Sequence, residues 1–170
     1  MAKDKELTVE QIAHELVQEF LTQLGLDAEI TIVIPEPEDE KEVNFKYLNL
    51  TLVGENLGEI IGFRGNMLES IQTILSLMLT KTLLRKELDS NYRILLDIND
   101  YKQQREKYLI SYAQRAAQEV VNSGQPMELS PMKPAERRII HLALKTENGI
   151  ETSSVGEGES RRVVISPISK

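Results

Sequence analysis

Cysteine is absent from the sequence, and histidine occurs only twice in 170 residues. Without cysteine the chain forms no disulfide bond, uses no thiol in catalysis and offers no thiolate to a metal. The two histidines, His14 and His141, lie far apart in the sequence and leave little for a zinc or iron site. We therefore expect no metal site and no cofactor.

Long apolar runs are absent as well. No stretch of about 18 apolar residues occurs, so we expect no helix that crosses a membrane. Residues 1–6 lack the apolar centre of a signal peptide. These absences favour a soluble, cytoplasmic protein, and an apolar content of 41% is enough to fill a core.

Basic charge is scarce in the first part of the chain. Residues 1–99 hold 9 basic and 18 acidic side chains, a net of −9, whereas residues 100–170 hold 11 basic and 9 acidic, a net of +2. Part of the acidity falls in residues 35–42, a proline-containing run that predicts a solvated loop. Because phosphate binding needs clustered lysine and arginine, the second part of the chain is the better source of attraction for a nucleic acid.

The first hundred residues predict the element order α-β-β-α-α-β. A capping box formed by Thr8 and Gln11 begins a helix that ends near Gly25. Alternating apolar residues predict two strands that we expect to pair antiparallel, and later a third strand. The strands are predicted over 28–34, 47–53 and 92–98, and the second and third helices over 56–61 and 66–85. The last helix carries Met67, Ile71, Ile74, Leu75, Met78 and Leu79 as apolar residues.

Gly62-Phe63-Arg64-Gly65 separates the second and third helices. Glycine adopts a positive φ and carries no Cβ, so a phosphate can approach the N–H groups at the start of the following helix. A Gly-x-x-Gly alone is more often an ordinary tight helix connection. Its position here resembles the GxxG loop of a type II K-homology (KH) domain. The resemblance implies that Gly62, Phe63, Arg64 and Gly65 clamp a single-stranded nucleic acid by its backbone. Phe63 either stacks on a base, packs inward or contacts a partner.

The remaining residues predict a small α/β domain, so the fold class is α+β. The predicted elements are helices over 101–122 and from about Pro134, an extended segment over 126–129 and a β-hairpin over 150–155 and 161–165. We place the boundary near residue 100, with the KH domain over 1–100 and the second domain over 101–170.

Arg137 and His141 lie one turn apart on the helix from Pro134. Together they are suited to hold a phosphate or carboxylate, arginine through its planar fork and histidine through a ring N–H that gains charge as pH falls through about 6.5. The other interpretation is a histidine hydrogen-bonded in a small core beside an arginine that extends to the surface. Glu136 and Glu147 flank this helix and are expected to be solvated.

The segment 130–141, with residues 151–158 and 161–165, resembles the Arg-x-x-x-His single-strand nucleic-acid module. Together with the KH element order, it resembles the bacterial Jag-type proteins, also called SpoIIIJ-associated or KhpB-type. The resemblance implies RNA binding by both modules, pairing of the KH half with another KH protein and, in some bacteria, control of cell elongation and envelope synthesis. It assigns the second site to Arg137 and His141, with Lys133, Arg138, Arg161 and Arg162 as lesser candidates. Many members carry an extra N-terminal domain, which we expect this chain to lack.

The leading hypothesis is a non-enzymatic protein that binds single-stranded RNA, or single-stranded DNA, as an RNA chaperone or post-transcriptional regulator. We expect a homodimer or a heterodimer with a small KH protein. The acidic first half supports an alternative, a protein-interaction adaptor that binds little RNA. An enzyme, such as a nuclease with His141 as general base, is the third class, but no second histidine, carboxylate cluster or metal spacing surrounds His141 in the sequence. We assign no catalytic residue.

Overall fold

The computed structural model describes residues 8–35 and 45–168. The acidic loop predicted over 35–42 lies, apart from its first residue, outside the described residues, as does the N-terminal segment 1–7. The chain divides into two compact units, Met1–Tyr101 and Lys102–Lys170. Each unit has its own hydrophobic core and is described separately.

The first unit contains the predicted α-β-β-α-α-β order. Its elements are α1 (Val9–Gln23), β1 (Glu29–Val33), β2 (Lys46–Val53), α2 (Gly58–Ile61), α3 (Asn66–Arg85) and β3 (Tyr92–Ile98), with a 3₁₀ turn at Phe63–Gly65. The predicted capping box begins α1, because the Gln11 N–H donates to Thr8 Oγ1 at 3.3 Å and the Thr8 N–H donates to Gln11 Oε1 at 3.0 Å. These two bonds satisfy N–H groups that the first turn leaves without a helical partner.

The strands of the first unit form one sheet in the order β1-β2-β3. β1 and β2 pair antiparallel, as predicted, and β2 and β3 pair parallel. Because side chains alternate across a strand, every second residue of β2 and β3 points toward the core. The buried strand residues are Leu48, Leu50, Leu52, Ile94, Leu96 and Ile98, and the buried helix residues against them include Val17, Leu21, Leu75 and Leu79.

Helix α3 carries apolar side chains on two faces. Ile71, Leu75 and Leu79 are buried in the core. Met67, Ile74, Leu77, Met78 and Leu84 are exposed, although three of these have the same apolar character as the buried residues that the sequence placed beside them. A helix with apolar residues on both faces does not reveal from its composition which face is buried. The packing against the sheet decides it.

The outer edge of β3 is closed by side chains. The Ile94 N–H donates to Ser76 Oγ at 3.1 Å, and the Leu96 N–H donates to Gln72 Oε1 at 3.0 Å. The Ile98 N–H donates to Asp97 Oδ1 at 3.0 Å. A strand edge with unpaired N–H groups is a template for another strand, so these three acceptors protect this edge from strand addition.

The second unit is built from one long helix, one short helix and three strands. They are α4 (Tyr101–Ser123, in this unit from Lys102), β4 (Met127–Glu128), α5 (Pro134–Ala143), β5 (Ile150–Val155) and β6 (Arg162–Pro167). The sheet order is β4-β6-β5 with antiparallel pairs throughout, so the predicted hairpin is confirmed. Its core combines α4, α5 and the hairpin, with Leu109, Ala113, Val120, Ile140, Val163 and Ile165 buried.

The helices within residues 8–35 and 45–168 include none that combines the length and apolar character needed to cross a bilayer.

Candidate nucleic-acid interface

The turn between α2 and α3 needs glycine at both ends. Gly62 and Gly65 adopt φ values of 68° and 73°, as predicted. A Cβ on Gly62 would lie 2.6 Å from Met67 Cβ, and one on Gly65 would lie 2.7 Å from Cε1 of Tyr101. Arg64 also has a positive φ, 53°, which is uncommon for a residue with a side chain. The turn therefore holds its tip in one shape through steric fit and backbone conformation together.

Phe63 and Arg64 form the tip of this turn. The Phe63 side chain is 74% exposed, which excludes inward packing and leaves a base or a partner as its contact. The guanidinium carbon of Arg64 lies 4.8 Å from the centroid of the Phe63 ring. A cation at this distance is attracted to the ring face. The tip thus presents an aromatic ring and a permanent positive charge together.

The N-terminus of α3 lies directly behind the tip. Gly65 is the N-cap, and it has no side chain to accept a hydrogen bond from the first turn. The Asn66 N–H donates to the Phe63 carbonyl, which closes the 3₁₀ turn onto the helix. Aligned peptide dipoles place about half a positive charge at this end of a helix. The helix end and Arg64 both favour an anion at the turn.

An open groove of about 440 Å³ lies between α3 and β3, lined by Phe45, Tyr47, Leu77, Arg93 and Leu95 with other residues of the two elements. The guanidinium carbon of Arg93 lies 4.1 Å from the centroid of the Phe45 ring. Sequence reasoning missed this aromatic and basic pair because the two residues are 48 positions apart and meet only through the parallel pairing of β2 and β3.

In the second unit, His141 is held between α5 and β5. Its Nδ1 lies 2.7 Å from Thr152 Oγ1, and its Nε2 lies 2.9 Å from Ser154 Oγ. Arg137 donates from Nη1 to the Met132 carbonyl at 2.9 Å. The histidine is hydrogen-bonded within the fold, as the second interpretation of the sequence held. A phosphate site at Arg137 and His141 stays a prediction.

The protonation of His141 differs from the sequence expectation. Burial lowers the pKa of the imidazole below its usual value, and the positive charge of Arg137 lowers this pKa further. The ring therefore stays neutral at a pH where a solvated histidine is partly charged, with one ring nitrogen donating and the other accepting. Arg137 supplies the positive charge of the pair.

Glu136 is buried rather than solvated, which corrects the expectation for this residue. Its Oε1 lies 2.8 Å from Nε of Arg105 on α4, and its Oε2 accepts the Lys133 N–H at 3.2 Å. A buried carboxylate requires such partners. Arg105 lies 31 residues earlier in the sequence, so no local pattern indicated the pair.

The lesser basic candidates occupy two neighbouring segments. Lys133 and Arg138 lie at the beginning and middle of α5, and Arg161 lies just before β6. The Met132 N–H donates to the Arg161 carbonyl at 3.2 Å, which brings the two segments together. Arg162 is engaged in an ion pair, with its Nε 2.6 Å from Glu128 Oε2.

The fold and the two sites define a protein with one KH domain followed by one Arg-x-x-x-His domain. The family model described as the KhpA/KhpB KH domain matches residues 14–89, and the model of the Arg-x-x-x-His domain matches residues 107–167. Curated relatives named RNA-binding protein KhpB match nearly the same span.

The relative from Clostridium symbiosum is 34% identical over 97% of this chain and 68% of its own length. The relative from Streptococcus pneumoniae serotype 2 (strain D39 / NCTC 7466) is 28% identical over 92% of this chain and 44% of its own length. The relative from Bacillus subtilis (strain 168) is 32% identical over 71% of this chain and 57% of its own length. The chain belongs to the KhpB family. It spans about two thirds of the Clostridium relative and about half of the other two.

Proposed function

We propose that this chain is a non-enzymatic RNA-binding protein that holds single-stranded RNA at two places, the Gly62–Gly65 turn and the region of Arg137 and His141. The observation that carries the proposal is the exposed Phe63 and Arg64 tip in front of the N-terminus of α3. The printed names of the relatives, which describe RNA-binding proteins, support the same ligand. Single-stranded DNA is the second candidate ligand.

At the turn, a phosphate lies against the helix end and Arg64 while Phe63 stacks on a neighbouring base. Stacking one base on an aromatic side chain contributes about 1–3 kcal/mol and depends little on base identity. The glycines permit the close approach of the RNA backbone, since a Cβ at either position has no room. We infer weak, sequence-tolerant binding at this site.

At the second site, Arg137 contributes the charge and His141 acts as a neutral hydrogen-bonding group that fixes β5 against α5. Lys133, Arg138 and Arg161 surround this region and add positive charge. Two modest sites on one chain raise the overall affinity, because binding at one site increases the local concentration of RNA at the other. The second unit supplies more of the attraction, since it carries the excess of basic residues.

The test compares two double variants of equal charge change. Phe63→Asp/Arg64→Asp removes the tip, and Leu84→Asp/Arg85→Asp makes the same replacement of an exposed apolar residue and an arginine at the opposite end of α3. The two sites are separated by about 30 Å of helix at 1.5 Å per residue. Binding of labelled mixed single-stranded RNA is measured by fluorescence anisotropy at several salt concentrations.

We expect the tip variant to weaken binding and to lower the slope of log affinity against log salt by about 0.7 for each lost phosphate contact. The control keeps the slope of the unmodified chain. Equal weakening by both variants would assign the effect to total charge and remove the turn from the RNA site. For the second site, Arg137→Gln should weaken binding more than Lys145→Gln, which removes an exposed charge beyond the end of α5.

We also propose that the KH unit pairs with a second KH domain, either in a homodimer or with a separate small KH protein. The exposed apolar residues of α3, Met67, Ile74, Leu77, Met78 and Leu84, support this pairing. Mass measurement in solution tests it, and Leu77→Lys should yield the monomer mass if this face is buried between partners. An unchanged mass for the variant of a dimeric chain would place the contact elsewhere.

A protein-interaction adaptor with little RNA binding is the second candidate function. The net charge of −9 on residues 1–99 favours it, because long-range repulsion opposes the approach of RNA. An adaptor would show no saturable binding of mixed single-stranded RNA at low salt while still forming a protein complex. For the RNA-binding protein we propose a cytoplasmic role as RNA chaperone or post-transcriptional regulator linked to cell elongation and envelope homeostasis, which crosslinking of bound RNA in cells tests.

A further inference from the structure

Four planar side chains form a row along α4. Arg105, Tyr108, Tyr112 and Arg115 are spaced three, four and three residues apart, so they share one face of the helix. The rings of Tyr108 and Tyr112 are stacked, with centroids 6.1 Å apart and an interplanar angle of 12°. The guanidinium carbon of Arg105 lies 5.4 Å from the centroid of the Tyr108 ring. None of the four was predicted as a site residue.

The row is anchored at one side and open at the other. Tyr112 packs partly against the core of the second unit, whereas Tyr108 is 52% exposed and Arg115 is exposed. The opposite face of this part of α4 is buried through Leu109 and Ala113. Stacking on Tyr112 and contact with Arg105 restrict the Tyr108 ring before any ligand arrives. A restricted ring loses little further conformational entropy on binding.

The position of Arg105 is set from a different helix. Glu136 of α5 holds the Arg105 Nε at 2.8 Å, and both side chains are largely buried. The guanidinium plane therefore stays beside Tyr108. Glu136 also directly precedes Arg137 in the sequence, so the row and the Arg137 site share one anchoring residue.

The charge around the row suits a polyanion. Residues 102–115 contain four basic side chains and one acidic side chain, a net of +3, in a chain whose net charge is −7. Ten residues of helix separate Arg105 from Arg115, a length of about 15 Å. Unpaired bases stack on aromatic rings and on guanidinium planes, while duplex bases are already stacked on one another. Rings between cations therefore match a single strand.

We propose that Arg105, Tyr108, Tyr112 and Arg115 form a base-stacking surface for single-stranded RNA, in addition to the Gly62–Gly65 turn and the Arg137 site. This proposal rests on the proposed function, because it takes RNA as the ligand. It extends the RNA path along α4 and assigns the sequence-tolerant part of the affinity in the second unit to stacking. A protein partner for the same face is an outcome of the test below.

The absence of tryptophan from the chain allows a direct test. Tyr108→Trp in the full chain places a single fluorophore in the row, and Val121→Trp places one at another exposed position of α4, outside the row. Each variant is titrated with short single-stranded oligo-U and oligo-A, and tryptophan quenching and the anisotropy of the labelled RNA are followed together. We expect strong quenching at position 108 that saturates with the anisotropy change, and weak quenching at position 121.

The two readouts separate the two proposals. If the anisotropy shows binding and both tryptophans respond equally, the stacking surface is refuted while the proposed RNA binding stands. If no RNA binds, both proposals are refuted.

A second pair of variants measures the contribution of the ring. Tyr108→Leu keeps an apolar side chain without the ring, and Tyr108→Phe keeps the ring. We expect the leucine variant to bind RNA about tenfold more weakly, the order of one base stacked on an aromatic side chain. The phenylalanine variant should retain the original affinity. Unchanged RNA affinity in the leucine variant would overturn the proposal, and a simultaneous loss of a protein complex would assign this face to a protein partner.

Discussion

Replacing Arg105 with methionine should strongly destabilise the second unit. The substitution keeps the length of the side chain but leaves the Glu136 carboxylate buried without its ion-pair partner. The side chains of the pair are 19% and 10% exposed, and their N to O distance is 2.8 Å. Breaking a buried pair by removing one partner costs about 3–5 kcal/mol, because the remaining charge is left unpaired in a poorly solvated site.

Arg162→Met is the matched control. Arg162 and Glu128 form an ion pair of similar length, 2.6 Å, but the two side chains are 32% and 57% exposed. Water solvates the remaining carboxylate there, so we expect a loss of about 1 kcal/mol or less. The comparison separates the effect of burial from that of ion pairing itself, since the residue types and the substitution are the same.

The free energy of unfolding is measured by urea denaturation in a Val121→Trp background, whose fluorescence reports only on the second unit. In the double variant Arg105→Met/Glu136→Met most of the lost stability should return, because no buried charge remains unpaired. A loss below about 1 kcal/mol for Arg105→Met, within the range of exposed pairs, would refute the reasoning. So would a double variant as unstable as Arg105→Met alone.

Three further predictions concern single residues. The lowered pKa of His141 means that the folded state binds its proton less readily than the unfolded state, so stability should be full above about pH 6.5 and fall as pH decreases toward the folded pKa; His141→Gln should remove this part of the pH dependence in unfolding experiments. Gly65→Ala should cost more than Gly25→Ala by about 1–3 kcal/mol in denaturation, because both have positive φ but only Gly65 lacks room for a Cβ. Leu79→Ala should cost about 2–5 kcal/mol, whereas the exposed Leu77→Ala should change stability by about 0.5 kcal/mol or less; equal losses would contradict the burial of α3.

Local sequence signals predicted most of the fold. The capping box at Thr8, the alternation in the strands and the hairpin near the end of the chain are short-range patterns, and each agrees with the structure. The bounds of α3 and β3 also match the prediction, because both elements combine a clear period with well-defined ends. The parallel pairing of β2 and β3 was not predicted, since it joins segments about 45 residues apart.

The candidate sites were predictable only in part. Gly62 and Gly65 were identified because a motif of two glycines falls between two helices, and their positive φ values were expected for the same reason. The partners of His141 lie 11 and 13 residues away on a strand, so its hydrogen bonds and lowered pKa were outside any helical pattern. The burial of Glu136 was wrongly predicted because its partner is on another helix.

By itself the sequence determined the elements, their order and the position of the GxxG turn, since backbone preferences and apolar periodicity act over a few neighbouring residues. Only the tertiary structure decided which face of α3 is buried, that Phe63 is exposed, and that Arg105 meets both Glu136 and Tyr108. These properties depend on desolvation and on contacts between distant segments. A side chain acquires them from its neighbours in space, which a single sequence does not specify.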